Sequence, residues 1–374
     1  MAFWLILLKV MRKMSYVKSD ADPCIYFKWK DNEKLNIWIS WVDDLLNVGE
    51  ESVVNKACDE LQKHFECDNL GQLEEYVGCK ISYDKKEKSL KFTQPVLLQS
   101  FKDEFDLPGK PPVTLAEAGQ VLVKVDSKNA ISVQEQSKYR SGVGKLLHMM
   151  RWSRPEIQNS VRELSRHCNQ ASKAHVKAML RVMTYCVATP ERGWYMKPMR
   201  SWDGNKNFEF IVSGCSDSNY AKCPDTRRSV SGYTAKLEGV PVSAKSSTQK
   251  IVALSVTEAE LFAAVQCAQD MLYVMRLLES MDLKVKKPMI LHVDNKGAVD
   301  LANNWSVGGR TRHVEVKQHF LRDLKEQGLI RVEWLPTDEN ESDLFTKNLG
   351  GPEFNKYASK FCWNDDYYDN GTNM

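Results

Sequence analysis

The sequence has no C-x-x-C pair, although ten cysteines are spread over its 374 residues. Structural zinc sites need their ligands clustered in short spacings, so this scatter argues against one. His64 and Cys67 have metal-like spacing, but Cys58 and Cys79 lie too far off to complete a set. Reduced thiols in a cytoplasmic or nuclear setting are the expectation. A long apolar run is also missing. The opening "MAFWLILLKVMRKM" carries only eight consecutive apolar residues, with its basic residues after them. A secretory leader carries the charge first, and a membrane span needs about 20 apolar residues. A buried helix, no targeting segment and no membrane partner are therefore expected. Internal repeats and low-complexity tracts are absent as well.

The charges nearly cancel, with 52 Lys and Arg against 49 Asp and Glu, but they are not evenly spread. Residues 124–200 hold fifteen basic side chains against five acidic ones, interleaved with Tyr139, Trp152, Tyr185, Trp194 and Tyr195. Lys and Arg contacts to phosphate dominate nucleic-acid affinity, so a polyanion-binding groove is the expectation for this segment.

Proline and glycine punctuate the chain. "DLPGKPPVTLAEAGQ" (106–120) interrupts any regular element. A helical stretch from about 134 to 188 follows, broken near Pro155 and Gln170–Ser172. "KPMRSWDGNKN" (197–207) reads as a linker. Beyond it come three strands, a long helix with the apolar stripe Leu261, Val265, Ala268, Leu272 and Met275, a buried-type strand, "LHVD" at its end, further helices and a last strand. This order predicts an α/β (α+β) layer on one mixed sheet, with "NESDLFTKNL" as a final helix and the residues after 350 as an acidic tail.

Acidic residues fall at the ends of these elements. Asp217 closes the first strand, Asp294 ends "LHVD", Asp343 opens the final helix, and Glu258 or Glu260 begins the long one. Ligands of open α/β sheets bind beyond the carboxyl ends of the strands. Converging carboxylates there would hold two Mg²⁺ ions for phosphodiester hydrolysis. Glu258 and Glu260 lie about 200° apart around a helix, and both flank its stripe, so geometry leaves the choice between them open. Each acid alone is equally explained as a turn former or a helix-start residue.

A second acidic feature stands in "NIWISWVDDLLNVG" (36–49), where Asp43 and Asp44 lie between two apolar runs that alternate like a hairpin, with Leu35, Ile37, Ile39 and Trp41 on one side. Neighbouring carboxylates repel unless a hard divalent cation joins them; a solvated turn is the plainer explanation.

Several strings together resemble the Ty1/copia-type retrotransposon polyproteins. Thr226-Arg227-Arg228-Ser229-Val230-Ser231-Gly232-Tyr233, Glu258-Ala259-Glu260-Leu261, Asp294-Asn295 and Ser342-Asp343-Leu344-Phe345-Thr346-Lys347 fall in the order of that family's ribonuclease H motifs. The resemblance implies a ribonuclease H-like mixed five-stranded sheet with flanking helices. It also implies that Asp217, Glu260, Asp294 and Asp343 are the catalytic acids and hold Mg²⁺ or Mn²⁺. Ala244 replaces an expected Trp and Leu261 an expected Tyr, which touches local packing more than chemistry. His313 is a candidate to assist turnover, and Arg227, Arg228, Arg310 and Arg312 are candidate phosphate contacts. Upstream, Trp41-Val42-Asp43-Asp44-Leu45-Leu46 resembles the reverse transcriptase palm motif, which makes Asp43 and Asp44 metal ligands by implication.

The resemblance thus divides the chain into a partial palm (1–106), a basic helical thumb and connection (107–206), a ribonuclease H-like domain (207–350) and the tail (351–374). Only 42 residues precede Asp43, which leaves no room for the fingers or the third polymerase acid that the family carries upstream. The expected function is therefore cleavage of RNA in RNA–DNA hybrids, attached to a truncated reverse transcriptase. Other polyprotein chains are possible partners, and they would be needed for any RNA-directed DNA polymerase activity. A non-catalytic nucleic-acid binder, or an inactive relic, is the alternative from another class.

Overall fold

A computed structural model describes residues 2–30, 34–304 and 312–363, with backbone alone for Ala2 and 312–318. The chain folds into two compact units. The first comprises 1–73, 200–212 and 271–286; the second comprises 74–199, 213–270 and 287 onward. These units cut across the segments read from the sequence.

The first unit is a four-stranded antiparallel sheet of Val17–Lys18, Ile25–Lys30, Lys34–Trp41 and Asp44–Val48. The helices Ala2–Lys13 and Glu51–Gln62 pack on it, and Leu7, Met11, Tyr26, Trp38 and Leu61 form the core between. Alternation mislabels this face. Asn36, Trp38 and Ser40 are buried, whereas Ile37 and Ile39 are half-buried and Trp41 is exposed. Asn36 tolerates burial because its amide is fully engaged, accepting from the Tyr16 hydroxyl at 2.5 Å and donating to Asn47 Oδ1 at 2.8 Å. The opposite face carries Trp29, which donates to the Met281 carbonyl at 2.9 Å and meets Trp202 edge-on at 6.2 Å. The supposed linker is therefore part of a folded layer, anchored by Trp202, Phe208 and Phe210.

The second unit holds two sheets. Glu75–Tyr76, Cys79–Asp84 and Ser89–Thr93 form a meander that Trp194–Met196 completes. The other sheet is mixed and five-stranded, ordered Val240–Thr248, Val230–Leu237, Val212–Asn219, Met289–Val293 and Ile330–Trp334. Its first two strands form an antiparallel hairpin, and its last three are parallel. This is the α/β, ribonuclease H-like sheet that the motifs imply. The long helix Val256–Ser280 is apolar enough by length and composition to cross a membrane. Its stripe residues Leu261, Val265, Ala268, Leu272 and Met275 are instead buried in protein, as core residues of a folded layer.

Helices Val133–Trp152, Gln158–Ser165 and Lys173–Ala188 share one apolar core with Leu344, Phe345, Phe354, Tyr357 and Phe361. Two expectations are corrected here. Residues 351–363 are no tail: Gly351–Ala358 is a helix, capped by Gly350 with Pro352 in its first turn, and its aromatic residues complete that core. The stretch 341–345 is a short 3₁₀ turn, not an α-helix.

The basic segment also changes meaning. Arg154 is fully buried against Glu156 at 2.6 Å, Arg162 is buried and donates to Ser246 and Asn159, and Arg192 is buried on Tyr185. Arg166 pairs with Asp225, Lys145 with Glu104, and Arg181 donates to the Thr114 carbonyl. Part of the excess charge therefore holds the fold together. The exposed remainder includes Lys124, Lys128, Lys138, Arg140, Arg151, Lys173 and Lys177.

Candidate carboxylate metal centre

The centre of the mixed sheet sets the geometry. Strand Val212–Asn219 lies third of five and runs parallel to Met289–Val293, with Ser216 abreast of Val293. One residue further on, Asp217 and Asp294 stand side by side at the carboxyl ends of adjacent strands, which lie about 4.8 Å apart. The long helix begins at the same end of the sheet. Gln249 fixes its start by donating to the Ala259 carbonyl at 2.9 Å and to Ser231 Oγ at 3.0 Å.

The structure separates the two helix acids. Glu258 caps its own helix, accepting from the Leu254 amide at 2.6 Å while Ser255 Oγ accepts from the Glu258 amide. Glu260 turns into the sheet, where its Oε1 accepts from both the amide and the hydroxyl of Ser218. Asp217, Glu260 and Asp294 each offer an oxygen within 4.8 Å of the others. Among the described residues this is the one such group of three or more.

Asp343 reaches the cluster from the 3₁₀ turn Glu341–Phe345. Asn340 caps that turn and donates to the Ser216 carbonyl at 3.0 Å, while Asn219 donates to the Thr346 carbonyl at 3.1 Å. Glu341 is buried between Lys236 and Lys360. Gly232 allows the turn to sit flush on the neighbouring strand: a Cβ there would lie 2.6 Å from Thr346 Cγ2 and 2.9 Å from both Phe345 Cβ and the Ser342 carbonyl. The glycine of the T-R-R-S-x-S-G-Y run thus has a steric purpose. Asp343 hydrogen-bonds the Asp217 carboxyl and lies outside the three-acid group.

Electrostatics mark this place as costly for charge. Burial, then the charges of Asp217 and Asp294, push Glu260 well above the ordinary carboxylate range. Asp294 is raised by burial and Asp217, against the pull of Lys347, Thr337 and Asn340. Asp343 is pushed up to about 8 by burial and by Asp217, against the nearby Lys347. Glu260 Oε2 is buried with no hydrogen-bond partner. An orphaned carboxylate oxygen among desolvated acids is what a hard cation satisfies, so the residues fit Mg²⁺ or Mn²⁺.

Supporting groups escaped the sequence reading. Thr346 Oγ1 donates to Asp217 Oδ2, and Lys347 Nζ lies 2.6 Å from Asp343 Oδ1 and 3.7 Å from Asp217 Oδ1. The Thr-Lys pair stands in the quoted motif, which was the available signal. Trp334 donates to the Asp294 carbonyl at 3.0 Å, and Lys296 stacks over its ring at 4.7 Å. Arg227 and Arg228 are exposed on the loop leaving this end of strand Val212–Asn219. Arg310 lies outside the described residues, and Arg312 and His313 start a helix whose side chains there are likewise outside them.

The other pair of acids differs. Asp44 opens strand Asp44–Val48 opposite Trp41, and Val42-Asp43 is the two-residue turn. Both aspartates are exposed. Val42, a β-branched residue, has φ 54° at the first central position, where a tight hairpin turn ordinarily takes glycine. Among the described residues no third metal-ligating side chain joins them.

No family model matches the chain. The curated Retrovirus-related Pol polyprotein from transposon TNT 1-94 of Nicotiana tabacum is 29% identical over 348 residues, 90% of this chain. That from transposon RE1 of Arabidopsis thaliana is 25% identical over 360 residues, 96% of this chain. These matches bear out the resemblance to Ty1/copia-type retrotransposon Pol polyproteins. The chain spans about a quarter of the length of those relatives, 25% and 24%. Among solved structures, LC11-RNase H1 in complex with RNA/DNA hybrid aligns at 13% identity and a TM-score of 0.29, over 36% of this chain and 93% of that one.

Proposed function

We propose that this chain is a metal-dependent ribonuclease H that cleaves the RNA strand of RNA–DNA hybrids and leaves a 3′-hydroxyl. The observation that carries the reading is the buried cluster of Asp217, Glu260 and Asp294 with an unpartnered Glu260 oxygen, joined through Asp217 to Asp343. These four acids would hold two Mg²⁺ or Mn²⁺ ions. Divalent ions, when bound, supply water activation and charge stabilisation at the phosphoryl oxygens.

The protein's own residues do the positioning. Ser218 and Thr346 fix the rotamers of Glu260 and Asp217, and the Asn340 and Asn219 bonds hold the Asp343 turn to the sheet. Preorganisation of this kind removes reorganisation cost at the moment of reaction. Arg227 and Arg228 would meet backbone phosphate, with hybrid shape and 2′-hydroxyls setting substrate choice. The Asp43-Asp44 hairpin has no third acid beside it among the described residues, so polymerase chemistry there would need a further acid and a templating surface from outside them.

The test is hydrolysis of an end-labelled RNA–DNA hybrid by purified protein, beside single-stranded RNA and duplex DNA. Cutting confined to the hybrid's RNA strand and abolished by EDTA is the expected result. A well-folded protein that binds the hybrid without cutting it would leave a nucleic-acid binder instead.

A further inference from the structure

The two sides of the carboxylate cluster are not equivalent. On the Glu260 side one buried oxygen has no partner. On the Asp343 side a cation is already present, supplied by the chain itself. Lys347 Nζ donates to Asp343 Oδ1 at 2.6 Å and faces Asp217 Oδ1 at 3.7 Å. The lysine is held there by its own backbone, because its amide donates to the Asp343 carbonyl at 2.9 Å and folds the side chain back onto the acid four residues earlier. Thr346 occupies the other oxygen of Asp217, which leaves Oδ1 for the shared site. The Lys347 side chain nevertheless keeps 34% of its surface in solvent, whereas those of Asp217 and Asp343 keep 3% and 4%. It is the one member of this trio with room to leave.

An ammonium within hydrogen-bond distance of Asp343 and a divalent cation on the same oxygens exclude each other, by charge and by volume. We propose that Lys347 is a tethered counter-cation that closes the Asp343 side of the centre. The free protein then takes one divalent ion at Asp217, Glu260 and Asp294, and the second position opens only when the lysine swings out. An anionic phosphodiester strand offers the displaced ammonium a new partner, which would couple the second ion to substrate arrival. The inference rests on the metal-dependent reading above.

The test is titration of Mn²⁺ alone into the metal-free full-length chain by calorimetry, for the wild type, Lys347→Ala, Lys347→Gln and Asp294→Asn. The wild type is expected to bind one ion per chain in the accessible range. Removing the ammonium should add a second ion, or tighten the second site at least tenfold. Lys347→Gln keeps most of the side-chain stem, so it carries the comparison if Lys347→Ala melts early in EDTA. Wild-type stoichiometry and affinity in both lysine variants, with Asp294→Asn still losing the first ion, overturns the proposal while leaving the metal centre standing. Absence of Mn²⁺ binding by the folded wild type, or binding unchanged in Asp294→Asn, overturns the metal reading and this inference with it.

Discussion

Two pairs of acids in this molecule share a residue type and little else. Asp217 and Asp294 lie at the ends of adjacent parallel strands in the middle of a sheet, with Glu260 over them and Asp343 clamped beside them. Asp43 and Asp44 stand exposed on a hairpin tip, with no third ligand among the described residues. Burial is what separates them. Desolvated carboxylates repel, so the first site is destabilising unless a cation or proton enters, whereas solvated ones relax into water at little cost. A set of structural supports that only makes sense for a charged cluster is thus stronger evidence of chemistry than the acids themselves.

The largest effect that sharpens this contrast is at Glu260. Glu260→Gln keeps the Ser218 contacts and removes one ligand charge; hybrid cleavage should fall on the order of a thousandfold, since several kcal/mol of charge stabilisation are lost. Cleavage rates within tenfold of wild type would detach Glu260 from the chemistry.

Next comes the steric support. Gly232→Ala forces the Thr346 and Phe345 side chains and the Ser342 carbonyl away. A cost of about 1–3 kcal/mol in stability and a roughly hundredfold loss of rate are expected, because the Asp343 turn shifts. Thermal melts and single-turnover rates measure the two together, and an unperturbed rate would show that Asp343 need not be held so closely.

A pH series gives an intermediate effect. Asp343 moves from 3.8 to about 8 on folding, chiefly through burial and then through Asp217. Between those values the folded state keeps a proton that the unfolded chain has lost, so this group's contribution to metal-free stability falls as pH rises from about 4 to about 8. Divalent ions favour the deprotonated acids and oppose the fall. The melting temperature in Mg²⁺ minus that in EDTA should therefore widen toward pH 8, and a gap that narrows over that window contradicts the assignment.

The smallest effect belongs to the hairpin. Val42→Gly relieves a left-handed β-branched residue and should stabilise the first unit by about 1 kcal/mol or less, after the entropy cost of glycine. Denaturant unfolding measures it, and hybrid cleavage should not change.

Much of the mixed sheet and its long helix was legible in the sequence, because strand alternation and a 3.6-residue stripe both report burial. The first unit was harder. Leu35, Ile37 and Ile39 point away from the helix-packed face, and a hydrogen-bonded asparagine occupies it, which alternation alone cannot reveal. Residues 351–363 were hidden by the acidic run after them, although Phe354, Tyr357 and Phe361 have helical spacing and pack into the core. The basic segment was legible only in part, for a different reason: sequence shows charges but not their partners, and Arg154, Arg162 and Arg192 are buried inside the fold while others of the segment stay exposed. The same blindness hid Lys347, whose importance lies in the carboxylates it touches.

The most direct measurement sets the two acid pairs against each other in one assay. Cleavage of a labelled RNA–DNA hybrid in Mg²⁺ is compared for wild type, Asp294→Asn and the double variant Asp43→Asn with Asp44→Asn. Metal-dependent cutting that disappears in the first variant and persists in the second is the predicted result. Cutting that survives Asp294→Asn, or is lost with the hairpin acids in a folded protein, would contradict the account.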